Sequence, residues 1–217
     1  CLKDNFSYIV INEKNNNACV IDPSEAEPII KVIKNNNLNL KCILNTHHHG
    51  DHVGGNLKLK KEFKCNIFGY IKDKNKIPGI DIFLKDKDLF KNEDFEFRTY
   101  HTPGHTLGHV IFHFHKQDFL FTGDTLFSLG CGRIFEGTKL QMYESINLIK
   151  NFPTKTKILE WWTTREKPPL KVVSPDGTSR TKYDVHHWCW GANTGTNPIG
   201  EIDNLYIKLF GRRGEPE

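Results

Sequence analysis

Along the first 158 residues the apolar positions fall into short runs whose period switches between two and about 3.6. Residues 8–11 and 18–21 alternate or run apolar around an Asn-rich stretch at 15–17, which predicts two strands joined by a turn. Asp22, Pro23 and Ser24 then open an amphipathic helix over 24–34, and the second Asn run at 35–37 ends it. Residues 42–45 predict a short apolar strand, and 56–63 a helix with Leu57 and Leu59 turned inward. An alternating strand covers 95–100, residues 110–114 and 119–121 read as a hairpin, and a last helix covers 140–151. Hairpins mixed with helices predict an α+β sandwich, two sheets with helices outside, rather than a doubly wound parallel sheet. The polar motifs fall at strand ends, where loops carry chemistry on a rigid scaffold.

Composition narrows the class. Of 217 residues, 37% are hydrophobic and 26% charged, a balance that excludes collagen-like, disordered and disulfide-scaffold chains. The longest apolar stretches run five or six residues, far below the roughly 20 that cross a bilayer, so no membrane partner is expected. The excess of 30 basic over 26 acidic residues forms no basic stripe, which argues against nucleic acid. Six cysteines without short paired spacings read as free, mostly buried thiols of a reducing, cytoplasmic setting. The chain starts at Cys1 rather than Met, so an N-terminal segment with any targeting signal is expected to precede it.

A break in composition falls near Ile158. Residues 1–158 hold 20 Lys and no Trp, whereas 159–217 hold 4 Lys and all four Trp (Trp161, Trp162, Trp188 and Trp190). This predicts a catalytic domain over 1–158 and a distinct tail over 159–217.

The densest chemical signal is Thr46-His47-His48-His49-Gly50-Asp51-His52, after an apolar strand and before Gly54-Gly55. Imidazole nitrogen and carboxylate oxygen are ligands that a borderline cation such as Zn²⁺ accepts, and a chain turning out of a strand can aim them at two neighbouring centres. His101-Thr102-Pro103-Gly104-His105-Thr106 follows the next alternating strand, its Pro and Gly fixing a tight turn around His105. Thr122-Gly123-Asp124-Thr125 places a carboxylate just past a third strand.

In this order and register the three motifs resemble the metallo-β-lactamase-fold superfamily. Within it, Gly130-Cys131-Gly132-Arg133-Ile134-Phe135-Glu136-Gly137 and the opening Leu2-Lys3-Asp4-Asn5-Phe6-Ser7-Tyr8 resemble the glyoxalase II (hydroxyacylglutathione hydrolase) family over residues 1–158. The resemblance implies a four-layer αββα sandwich and hydrolysis of S-D-lactoylglutathione to D-lactate and glutathione by a monomer. It implies two divalent ions, zinc before iron or manganese: His47, His49 and His105 on the first, Asp51 and His52 on the second, Asp124 bridging. A shared water, its pKa lowered from 15.7 towards about 7, would then attack the thioester, with Asp51 also orienting it. Arg133 would meet the glutathione carboxylate.

Three departures bear on that expectation. After Ile158 the family continues with a segment whose histidine completes the second metal; this chain reads Leu159-Glu160-Trp161-Trp162-Thr163-Thr164 instead. The Pro- and Gly-rich tail argues against the family's helical domain and suggests a fusion, an alternative splice or a frame error. Phe135 stands where many relatives carry Tyr, removing one hydroxyl contact. In the tail, His186, His187 and Cys189 have donor chemistry but no zinc spacing. His48, His101, His109, His113 and His115 are not assigned to metal, with His101 and His109 expected to hydrogen-bond around the His105 loop. Two other functions stay open: a mononuclear iron persulfide dioxygenase using His47, His105 and Asp124, and an inactive metal-binding remnant.

Overall fold

In the computed structural model, residues 1–2, 5–127 and 130–160 are described, together with the backbone of 171–173, 179–181 and 205–210. The order opens with β1 (Ser7–Asn12), β2 (Asn17–Ile21), α1 (Ala26–Asn35), β3 (Asn39–Leu44), α2 (Gly50–Val53) and α3 (Asn56–Phe63). It continues through β4 (Asn66–Tyr70), a 3₁₀ turn at Ile71–Asp73, β5 (Ile82–Leu84), β6 (Leu89–Lys91), β7 (Glu96–His101), β8 (Val110–Phe114) and β9 (Phe119–Gly123). After α4 (Lys139–Lys150) come β10 (Lys157–Glu160), β11 (Lys171–Val173), β12 (Ser179–Thr181) and β13 (Leu205–Phe210).

Two mixed sheets form, ordered β13-β1-β2-β3-β4-β5 and β10-β9-β8-β7-β6. The burial pattern explains their stacking. Every residue of β1 is buried, and alternate side chains enter different cores: Tyr8 and Val10 one, Ile9 and Ile11 the other. The first core lies between the sheets, where Val10, Ile21 and Leu44 meet Phe97, Phe112, Phe114 and Phe121. The second joins Ile9, Val20 and Ile43 to Ile29 and Ile33 of α1 and Leu59 of α3. The third joins Ile111 and Leu120 to Ile149 of α4. Helices therefore cover both outer faces, the α+β sandwich in four αββα layers. Phe97 and Phe112 are fully buried, and truncating either to Ala would cost about 3–5 kcal/mol.

One inward assignment is corrected. Leu59 is buried, but Leu57 is 59% exposed, because residues two apart on a helix point to different faces. Helix α1 starts at Ala26, two residues later than its polar opening suggests. Ser24 Oγ instead faces Ser7 Oγ at 3.4 Å in the interior. At the composition break, β10 runs through Ile158 to Glu160 beside β9, and Leu159 is buried in the inter-sheet core. The four tryptophans, His186, His187 and Cys189 lie outside the described residues. The fold delivers the ends of β3, β7 and β9 to one edge of the sandwich.

Candidate metal centre

Three loops meet at that edge. The chain leaving β3 runs through Asn45 to His49 and into the single turn of α2. Asn45 fixes this path, its Nδ2 donating to His52 O at 3.1 Å while its Oδ1 accepts from Asn56 Nδ2 at 2.8 Å. The loop after β7 brings in His105, and the turn after β9 brings in Asp124.

Two groups of donors result. His47, His49 and His105 form one, and His47, His52 and Asp124 the other, the donor atoms of each lying within 4.8 Å of one another. In the first, His49 Nδ1 lies 3.0 Å from His47 Nε2 and 2.9 Å from His105 Nε2. One N–H at His49 can satisfy only one of these neighbours, so lone pairs are left facing one another. Asp124 spans both groups, with Oδ1 3.2 Å from His52 Nε2 and Oδ2 3.1 Å from His105 Nε2.

The hydrogen bonds behind the rings set which nitrogen faces inward. His105 Nδ1 donates to Arg133 O at 2.6 Å and His52 Nδ1 to Asp22 Oδ2 at 3.0 Å. Thr46 Oγ1 donates to Asp22 Oδ2 at 2.7 Å and accepts from His47 Nδ1 at 3.1 Å. In His47 and His105, Nδ1 carries the hydrogen and Nε2 turns its lone pair to the centre, the tautomer a metal-binding imidazole needs; in His52, Nδ1 is likewise a donor and Nε2 faces Asp124. Burial, reinforced by neighbouring histidines, pushes the pKa of His47 well down, and burial also lowers His49 and His105. Those three rings are therefore neutral. Burial opposes the charge on His52 too, but Asp22 and Asp124 outweigh it and raise His52 to about 9. Asp124 follows the same logic: burial raises its pKa, and contacts with His52 bring it below the usual carboxylate value. This donor set, buried imidazoles with a spanning carboxylate, fits divalent cations.

The remaining predicted residues stand around this centre. Asp51 is exposed on α2 and belongs to neither donor group; its Oδ2 lies 3.4 Å from Asn5 Nδ2, and its charge acts on His105. Arg133 is exposed, its guanidinium 5.3 Å from the Phe135 ring centroid. That ring meets His49 and His105 edge-on at 5.4 and 5.3 Å. Gly132 has to be small: a Cβ there would stand 2.8 Å from His105 Nδ1 and 2.3 Å from Asp124 O. His109 accepts from Asp124 N through Nε2 at 3.0 Å, with Thr102 and Thr125 hydroxyls at 3.0 Å from its Nδ1. His101 donates from Nε2 to Leu107 O at 2.9 Å and stacks on Tyr70.

The residue that sequence reasoning missed is Asp22. It is 2% exposed and accepts from Thr46 N, Thr46 Oγ1 and His52 Nδ1, so one carboxylate orients two of the donor rings.

The fold and this centre define a class of protein, and the comparisons agree. Residues 3–161 match the model of the metallo-beta-lactamase superfamily, and the chain belongs to that superfamily. A hydroxyacylglutathione hydrolase from Pelagibacter ubique is 56% identical over 73% of this chain and 66% of its own length. Another, from Methylococcus capsulatus, is 43% identical over 72% of this chain and 61% of its own. The chain thus spans less than two thirds of the length of these curated relatives. Among solved structures, the B3 metallo-beta-lactamase BLEG-1 superposes with a TM-score of 0.69 at 26% identity, covering 74% of this chain and 87% of that one. The superfamily fold carries divalent metal on His and Asp ligands of the kind gathered here.

Proposed function

We propose that the chain is a metal-dependent thioester hydrolase that converts S-D-lactoylglutathione and water to D-lactate and glutathione. The observation that carries this reading is the Asp124 carboxylate, one oxygen beside His52 and the other beside His105, between two groups of inward-facing nitrogen donors. The names and 56% and 43% identities of the relatives support the substrate. His47, His49 and His105 would hold one divalent ion, zinc before iron or manganese, and Asp51 and His52 a second, with Asp124 shared. Bound there, such ions supply Lewis acidity and lower the pKa of water from 15.7 towards about 7.

The chain's own residues do the rest. Arg133 offers a planar fork to a glutathione carboxylate, and Phe135 presents an exposed apolar face beside His49 and His105. His109 fixes the Asp124 backbone, which keeps both carboxylate oxygens aimed at the two groups. A thiolate whose thiol has a pKa of about 8.5 leaves without a proton, so no side chain has to act as general acid. Residues 1–158 supply the catalytic groups in this reading, while β10 continues to Glu160 beside β9 and β13 from the following stretch pairs with β1. Cys1, Cys19, Cys42, Cys65 and Cys131 are free thiols, which supports a reducing, cytoplasmic setting, and the proposed enzyme acts as a monomer. No helix among the described residues is long and apolar enough to cross a membrane.

Elemental analysis of metal-repleted protein, read beside lactoylglutathione hydrolysis by the same sample, tests the proposal. Two metals per chain with hydrolysis is the expected result. One iron with oxygen consumption would move the assignment to a persulfide dioxygenase, and no turnover with one metal or none would make the chain a remnant.

A further inference from the structure

His48 sits between two donor residues, yet its ring belongs to neither donor group. It is gripped from elsewhere. Its Nδ1 donates to Asp73 Oδ2 at 2.8 Å, and its Nε2 lies 3.5 Å from Glu136 Oε1. Asp73 closes the 3₁₀ turn after β4 and is 1% exposed. Glu136 follows Arg133 and Phe135 in the same turn, and accepts from Lys76 Nζ at 2.7 Å and from Leu107 N at 2.9 Å. The His105 loop presses on the same group, since a Cβ at Gly108 would stand 2.1 Å from Asp73 Oδ1.

One imidazole therefore ties together the loop bearing His47 and His49, the loop bearing His105 and the turn bearing Arg133. A ring hydrogen-bonded to Asp73 on one edge and set against Glu136 on the other cannot rotate freely about its side-chain bonds, and its backbone is the link between His47 and His49. Metal ligation tolerates ligand displacements of only about 0.2 Å. A contact that fixes this link therefore acts on both donor rings.

We propose that Asp73 and Glu136 are positioning residues: through His48 they hold His47 and His49 in ligating register and fasten the Arg133 turn to the same loop. The proposal rests on the metal-binding reading above. Its test uses Zn²⁺ affinity, measured by competition with a chromophoric chelator, together with the visible absorption of the Co²⁺ form; neither needs a substrate. His48→Ala and Asp73→Ala should each weaken Zn²⁺ binding about 10- to 100-fold. The double variant should be no weaker than the worse single one, because both break one path. Glu136→Ala should weaken binding about 3- to 10-fold, as expected for the longer contact, and Glu136→Gln should restore most of it because the amide oxygen still accepts from Leu107 N. The Co²⁺ spectrum should shift in the Ala variants and return in Glu136→Gln. Should Asp73→Ala fail to fold, His48→Ala and the Glu136 pair carry the test.

Wild-type protein that binds Zn²⁺, with His48→Ala and Glu136→Ala within twofold of it and spectrally unchanged, would overturn the positioning proposal alone. Wild-type protein that binds neither Zn²⁺ nor Co²⁺ would overturn the metal-binding reading and this proposal with it.

Discussion

Among the described residues histidines gather in two places, and one gathering has the form of a ligand set. In the centre, His49 Nδ1 lies 3.0 Å from His47 Nε2 and 2.9 Å from His105 Nε2, and Asp124 stands 3.1 Å from His105 Nε2. On β8 and just beyond it, His113 and His115 lie 6.1 Å apart by centroid, and His113 meets Phe152 edge-on at 4.8 Å. His113 is a packing ring on the α4 side of its sheet, and His115 pairs with Glu96 at 2.9 Å. Proximity of histidines is common to both. What distinguishes the centre is that Arg133 O, Asp22 and Thr46 hold the outer nitrogens, so that the inner ones converge.

The contrast predicts where substitutions act. Asp124→Ala removes the carboxylate whose two oxygens face His52 and His105, and the proposed hydrolysis should fall about 10³-fold or more. On the proposed two-metal reading, metal content read by elemental analysis should drop from two per chain to one or none. A variant retaining both metals and near-full turnover would mean that Asp124 merely caps the site.

Asp22→Ala comes next. It strips the acceptor from Thr46 N and Thr46 Oγ1 in a buried setting and from His52 Nδ1. Leaving buried donors unsatisfied costs about 1–3 kcal/mol each, so a loss of about 3 kcal/mol in denaturant unfolding is expected, with weakened metal binding. Arg133→Ala should act on substrate alone: KM up about 10-fold, kcat within threefold and metal content unchanged, the pattern of a lost binding contact.

Sequence legibility divides along the same line. The loops at 46–52, 101–106 and 122–125 were readable because several donors crowd into a few residues after apolar strands, and the Asn runs at 15–17 and 35–37 marked real chain turns: Asn16 and Asn37 both have positive φ. Asp22 was not readable. In sequence, Asp-Pro-Ser announces a helix, whereas in the fold Asp22 adopts φ 48° and turns its carboxylate inward to Thr46 and His52, partners 24 and 30 residues away. No local pattern encodes such a contact. The strands β4, β5 and β6 escaped for another reason: three to five residues beside many Lys and Asp carry too little periodicity. His48 combined both difficulties, since its partners Asp73 and Glu136 look in sequence like ordinary surface charges.

The outer histidine gives the mildest test, and it probes stability rather than turnover. Burial, with the charge of His115 adding to it, lowers the pKa of His113 from 6.5 to about 4. The unfolded chain therefore takes up this proton at a higher pH than the folded one. Stability from a neutral His113 is complete above about pH 6.5, declines as pH falls towards 4, and changes no further below that. Allowing for solvent at the ring edge, the decline is about 1 kcal/mol. His113→Phe keeps an aromatic ring against Phe152 and removes the proton, so its melting temperature should depend less on pH between 6.5 and 4 than that of the wild type. Metal content and hydrolysis at neutral pH should not change, because His113 belongs to neither donor group. Loss of metal in this variant would erase the distinction between packing and ligating histidines; an unchanged pH profile would place the acid sensitivity of the fold on other groups.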